Sequence, residues 1–247
     1  MKRKDFLHLT GICSLGLLTI PHIALGAVQY RFTQAQLIGK GNPDITGNSY
    51  RQKMHKQTKT AFLEMKSAAA KDNISIEVVS AYRSFERQKE IFERKYKRFT
   101  GQGLSPTQAL SKIIEYSTIP GTSRHHWGTD IDIIQANTGA RPSSVLQEKH
   151  FYGVGPFCEM KVWLTKNANS FGFYEVYTKD AQRKGFSHEP WHFSYKPVSK
   201  PMLMAYKKLD IKSILKQEKI MGSEHFSDSF IAKYIKEHIL DINPELL

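Results

Sequence analysis

Residues 74–88, Ile-Ser-Ile-Glu-Val-Val-Ser-Ala-Tyr-Arg-Ser-Phe-Glu-Arg-Gln, decide how this chain is read. Through Ser80 the stretch alternates and is β-branched, which predicts a strand. Ser84 then offers a hydroxyl to the free N–H groups of a first turn, with Arg87 rather than Glu three residues on, and predicts a helix to about Arg98. Upstream, Met54, Ala61, Phe62, Met65 and Ala69 recur at helical spacing and predict a helix from about Tyr50 to Ala70, ended by Asp72-Asn73. Residues 27–49, with Gly39-Lys40-Gly41-Asn42-Pro43-Asp44, read as an irregular arm. Downstream, Ser105-Pro106 starts a third helix, because Pro suits the first helical position. Residues 116–128 read as a loop, Asp130 to Ile133 as a short strand, Pro156 to Ser170 as a fourth helix and His192 to Tyr195 as a final strand. Strands and helices mix without βαβ alternation, so the expected class is α+β.

The chain has 247 residues, enough for one good-sized domain with an appendage. Its 40% hydrophobic and 24% charged residues exclude collagen-like, wholly disordered and polytopic membrane proteins. A net charge of +13 suits a polyanionic neighbour: nucleic acid, acidic lipid or anionic cell-wall polymer. Lys2, Arg3 and Lys4 precede an apolar run from Phe6 to Ile20, and Ala24 and Gly26 are spaced as a signal peptidase requires. Residues 1–26 are therefore expected to be an export signal, with no stable membrane span after cleavage. Arg3-Lys4-Asp5-Phe6-Leu7 resembles a relaxed twin-arginine signal with Lys in the second Arg position. Export argues against nucleic acid, so the basic faces around Lys53, Lys56 and Lys59 and around Arg94, Lys95, Lys97 and Arg98 read as solvated surfaces that could also lean on anionic envelope polymer. The only cysteines are Cys13 and Cys158, so no cysteine-rich zinc module can form. Cys158 is expected to be a buried core thiol.

Two segments concentrate the chemistry. One is Ser123-Arg124-His125-His126-Trp127-Gly128-Thr129-Asp130-Ile131-Asp132, and the other is Glu189-Pro190-Trp191-His192. Imidazole and carboxylate donors suit zinc, and two His with one Asp leave a fourth tetrahedral position for water. A Glu three residues from a metal-binding His stands close enough to take that water's proton.

The first segment resembles the Ser-x-His-x-x-Gly-x-Ala-x-Asp signature of zinc D-alanyl-D-alanine carboxypeptidases of vancomycin-resistance type, members of the LAS metallopeptidases. The second resembles their Glu-x-Trp-His signature, and Ser80 to Gln88 resembles their Ser-Gly-Tyr-Arg-Ser…Gln stretch. The likeness runs in order over residues 50–197. It implies a small, mostly antiparallel sheet flanked by helices. It also implies one zinc ion held by His125, Asp132 and His192, with Glu189 as general base. Arg83 would bind the substrate carboxylate, and Gln88 and Ser123 would line the site. The implied substrate is the stem peptide of peptidoglycan, acted on in the periplasm or cell envelope. One residue departs from the pattern: Asp130 stands where a small residue is usual. Asp130 and Asp132 face the same side of a strand, so Asp130 is either a partner that supports a ligand from behind or a competing ligand.

The same residues leave open an endopeptidase of the same fold, or an inactive zinc-stabilised wall-binding module. The intact Glu189 argues against the module. His126 and His188 are expected to make packing or supporting contacts, and Trp127 and Trp191 to wall the cleft. Residues 198–247 lie beyond the resemblance and read as a helical extension. There Ser227 caps a helix whose stripe of Phe230, Ile231, Tyr234, Ile235 and Ile239 is expected to pack on the catalytic unit.

Overall fold

In a computed structural model, which describes residues 32–247, the Ile74–Gln88 stretch is a strand, a turn and a helix. The expected export signal over residues 1–26, and Cys13 within it, lie outside the described residues. The described residues open with α1 (Gln34–Leu37), β1 (Ile45–Thr46), β2 (Met54–His55) and α2 (Lys56–Lys71). Next come β3 (Ile76–Ser80), α3 (Phe85–Gly101), α4 (Pro106–Ile114) and β4 (Asp130–Gln135). After α5 (Cys158–Asn167), β5 (Phe173–Glu175) and β6 (His192–Tyr195), the chain closes with α6 (Lys196–Tyr206), α7 (Ile211–Gln217) and α8 (Asp228–Tyr234).

Local sequence explains most of these boundaries. The Ser84 hydroxyl accepts from Arg87 N–H and starts α3, and Ser105 forms a capping box with Gln108 before Pro106. The helix expected from Tyr50 begins only at Lys56. Met54 and His55 are drawn instead into pairing with Ile45 and Thr46, and the His55 ring caps α2 by accepting from Gln57 N–H. The stretch read as an irregular arm holds α1, started by a capping box between Thr33 and Gln36. Leu37 there is buried, and its carbonyl accepts from Trp127 Nε1–H.

The main sheet is antiparallel throughout, in the order β3-β4-β6-β5. Its period of two sorts side chains by face. Ile131, Ile133 and Phe193 join a core with Phe62 and Met65 of α2 and Met160 of α5. Asp130 and Asp132 of β4, with His192 and Ser194 of β6, take the opposite face. A second core unites α1 with Phe85 and Phe92 of α3, Trp127, Met202 of α6 and Tyr234 of α8. The apolar stripe after Ser227 is thus packed inward, as its spacing predicts, and Ser227 caps α8 through Phe230 N–H. Cys158 begins α5 and is only half-buried, not the core thiol expected from its type.

Candidate active site

Antiparallel register builds the floor of a cleft of about 700 Å³. Asp132 pairs with His192 across β4 and β6, and with Ser80 across β3 and β4, so three adjacent strands present polar side chains in one row. His125 arrives from a tight helical turn, Arg124–Trp127, that ends at Gly128. Gly128 has φ of 68°, and a Cβ there would stand 2.7 Å from His55 N. Only glycine suits that left-handed, crowded turn, which returns the chain from His125 to the start of β4.

His125, Asp132 and His192 are all buried, and their ligand atoms lie within 4.8 Å of one another. His125 Nδ1–H donates to Ala81 O at 2.8 Å, which leaves the Nε2 lone pair facing Asp132 Oδ2 at 3.5 Å. His192 Nδ1 is 3.8 Å from Asp132 Oδ1, an oxygen that is buried without a hydrogen-bond donor. Ligands held about 2.0–2.1 Å from a tetrahedral zinc ion stand roughly 3.3–3.4 Å apart. The donor types and the orphaned Asp132 oxygen fit such an ion, which would draw the three side chains closer together. Glu189 Oε2 lies 2.9 Å from His192 Nδ1 at the open edge of the group.

Burial and close charges set the electrostatics of the cluster. Burial alone would lower the His192 pKa, but hydrogen bonds to Asp130 and Glu189 raise it to about 10. Burial raises Asp132 to about 6, against the pull of His192. His125 is pushed well below its ordinary value by burial, then by Arg83 and His192. Its neutral Nε2 is ready to act as a ligand.

Asp130 is fully buried and spends both oxygens elsewhere. Arg124 Nε–H and His192 Nε2–H donate to Oδ2, while Thr129 and Ser194 hydroxyls donate to Oδ1. Of the two roles open to it from sequence, supporting contact or rival ligand, this geometry leaves the first.

Arg83 sits in the turn between β3 and α3 and lines the cleft. Its backbone is pinned, since its N–H donates to His125 O and its carbonyl accepts from His126 Nδ1–H at 2.6 Å. Its guanidinium donates to Gln88 Oε1 at 2.7 Å and Ser80 Oγ at 3.1 Å, while Nε–H is buried with no acceptor in reach. Gln88 does not line the cleft. It is fully buried, and its amide N–H groups go to Thr118 O and Ser117 Oγ, so its place is behind Arg83. Ser123 does line the cleft, with a buried hydroxyl that has no partner.

His126 is structural: its Nε2 accepts from Gly121 N–H, and burial lowers its pKa to about 4. His188 is clasped between Glu148 and Glu175, a supporting contact of the kind expected. Trp191 walls the cleft, whereas Trp127 is core, edge-on to Tyr206. Sequence reasoning missed Tyr177, a cleft residue whose ring stands edge-on to His192 at 5.1 Å. No motif marks it, because a loop 15 residues before His192 delivers it.

Comparison with known proteins bears on the family and the fold. A family model described as VanY, D-alanyl-D-alanine carboxypeptidase, matches residues 51–198. A D-alanyl-D-alanine carboxypeptidase of Enterococcus faecalis is 28% identical over 153 residues, 62% of this chain and 52% of that protein. This chain thus spans about half the length of that relative. An uncharacterised protein of Haemophilus influenzae is 31% identical over 107 residues, 43% of this chain and 82% of that one. Among solved structures, VanYB in complex with D-alanine-D-alanine aligns with a TM-score of 0.51 and 24% identity, covering 78% of this chain and 93% of that chain. That likeness concerns the fold.

Proposed function

The chain belongs to the VanY family of D-alanyl-D-alanine carboxypeptidases, and from that premise we propose that it is a zinc-dependent exopeptidase of peptidoglycan stem peptides, removing their C-terminal D-alanine. The observation that carries the reading is one cleft holding both a buried His125–Asp132–His192 donor set and an arginine with unused donors. His125 Nε2, Asp132 and His192 Nδ1 would hold the ion. Bound there, zinc supplies Lewis acidity, which acidifies water and polarises a carbonyl.

The remaining roles belong to the chain itself. Glu189 is the group placed to accept the proton of the attacking water and to pass it to the departing amine nitrogen. In this structure its Oε2 is hydrogen-bonded to His192 Nδ1, so a cation taken up by that nitrogen frees the carboxylate for proton transfer. Arg83 binds the terminal carboxylate through donors not spent on Gln88 and Ser80, and a planar fork suits that group. Ser123 offers its unpartnered hydroxyl to the substrate backbone. An obligatory free carboxylate restricts cutting to the last bond, which favours an exopeptidase over an endopeptidase. Such a substrate lies outside the cytoplasmic membrane, and the basic then apolar start of the chain suits export to the periplasm or cell envelope. Among the described residues no helix is long and apolar enough to cross a membrane. Arg94, Lys97 and Arg98, exposed on α3, would meet anionic envelope polymer.

The test is to incubate the zinc-loaded protein with tri-, tetra- and pentapeptide muropeptides and weigh the products. Loss of one alanine from the pentapeptide is expected. Products cut within the stem or at a cross-link would replace this reading with an endopeptidase.

A further inference from the structure

Asp130 interrupts the family pattern at a place where a small residue is usual, and its surroundings are built for a carboxylate. It pairs with Ser194 across β4 and β6, two residues along from the Asp132–His192 pair and on the same face, so its side chain reaches His192 on the diagonal. Four donors converge on its two oxygens, two on each, at 2.6–2.9 Å. Arg124 also donates to Ser194 Oγ at 2.8 Å, so the serine's one hydrogen is committed to Asp130. Arg124 is itself buried, with its guanidinium 4.9 Å from the Trp127 ring centre. A buried carboxylate whose acceptor sites are all filled requires that His192 Nε2 carry a hydrogen. The ring's other nitrogen is then the one with a lone pair to give, and it points toward Asp132 and Glu189.

We infer that Asp130, gripped by Arg124 and Ser194, is a positioning residue that fixes the tautomer and ring orientation of His192 so that Nδ1 is the nitrogen presented to the metal. The inference rests on the metallopeptidase reading above. Carboxylates behind metal-binding imidazoles are worth about 10–100-fold in metal affinity. Asn at this position carries a further penalty. Its amide can donate to Nε2, which moves the ring hydrogen to Nδ1 and blocks the ligand atom. Asp130→Asn should therefore bind zinc more weakly than wild type, and no more tightly than Asp130→Ala, although Asn is the closer match in shape. A merely structural carboxylate would give the reverse order, with the near-isostere doing better.

The experiment measures the zinc dissociation constant of wild type, Asp130→Asn, Asp130→Ala and Ser194→Ala by competition with a chelating dye, alongside thermal melting of each metal-free protein. The expected result is a loss of about 10–100-fold for Asp130→Asn and a smaller loss for Ser194→Ala, which keeps the Arg124–Asp130 pair. If the Asp130 variants fail to fold, Ser194→Ala decides: weakened zinc binding with unchanged melting supports the inference, and wild-type affinity overturns it. Wild-type affinity in a folded Asp130→Asn also overturns it while the metallopeptidase reading stands. Failure of the wild-type protein to bind zinc removes both together.

Discussion

The hydroxyls of Tyr234 and Thr122 lie 2.8 Å apart, buried, and join residues 112 positions apart in the chain. Thr122 spends its own hydrogen on Ile119 O, so Tyr234 is the donor of the pair, and the same tyrosine oxygen accepts Ile119 N–H at 3.0 Å. Tyr206 adds a third contact by donating to Gly121 O. Tyr206 and Tyr234, both beyond the family match, thus hold the loop that leads into Ser123 and His125. Further along, Asp241 accepts the N–H groups of Lys184 and Gly185, just before the cleft residues Phe186 and Ser187, and Asn243 donates to Glu175 O.

Tyr234→Phe removes both hydrogen bonds and leaves Ile119 N–H buried without an acceptor. A loss of about 1–3 kcal/mol is expected, which lowers the melting temperature by about 2–4 °C per kcal/mol in a domain of this size. Because the loosened loop carries a cleft wall, KM should rise more than kcat falls. A variant with wild-type melting and wild-type KM would show that the brace contributes nothing.

Replacing His125 or His192 by Ala should abolish tight zinc binding, since each removes one of three donors. Asp132→Ala should do far more harm than Asp130→Ala, because Asp132 keeps an oxygen with no donor while Asp130 has none to spare. Chelator treatment of wild type should lower its melting temperature, and zinc should restore it. Elemental analysis that finds full zinc in Asp132→Ala and none in Asp130→Ala would reverse the assignment.

Glu189→Gln is expected to retain zinc and fold but lose about 10²–10⁴ in kcat, because an amide cannot accept the proton. The readout is turnover on a pentapeptide beside metal content. Near wild-type turnover would remove Glu189 from the mechanism and return the wall-binding module to consideration.

Arg83→Lys keeps the charge but loses the fork and the bonds to Gln88 and Ser80, so kcat/KM should fall clearly. Amidating the substrate's C-terminus should impair wild type severely and add little in Arg83→Ala. That comparison isolates the contact from damage to the fold. Equal cleavage of amidated and free-acid peptides by wild type would sink the carboxylate-reading role.

The candidate ligands, Glu189 and the α3 cap were legible because each is a local pattern: a Gly-ended turn before a strand, a carboxylate three residues from a histidine, a serine before a helix. Period-two alternation likewise placed Asp130 and Asp132 on one face. What local pattern cannot express is register. Whether Asp130 competes for the metal or supports His192 depends on Ser194, 64 residues later, and on Arg124 turning inward to meet it. The family resemblance puts Gln88 in the cleft, while as a residue of α3 it could equally sit on the helix surface. Only the approach of Thr118 and Ser117 from the next loop supplies the acceptors that let it be buried. The two-residue strands β1 and β2 carry no periodicity of their own and exist because Ile45 and His55 meet in space. Sequence alone determined which residues are the candidates for the chemistry, since reactivity belongs to side-chain type and close spacing. Tertiary structure decided which atom of each faces the cleft, since every buried donor and acceptor must find a partner that the chain brings from far away.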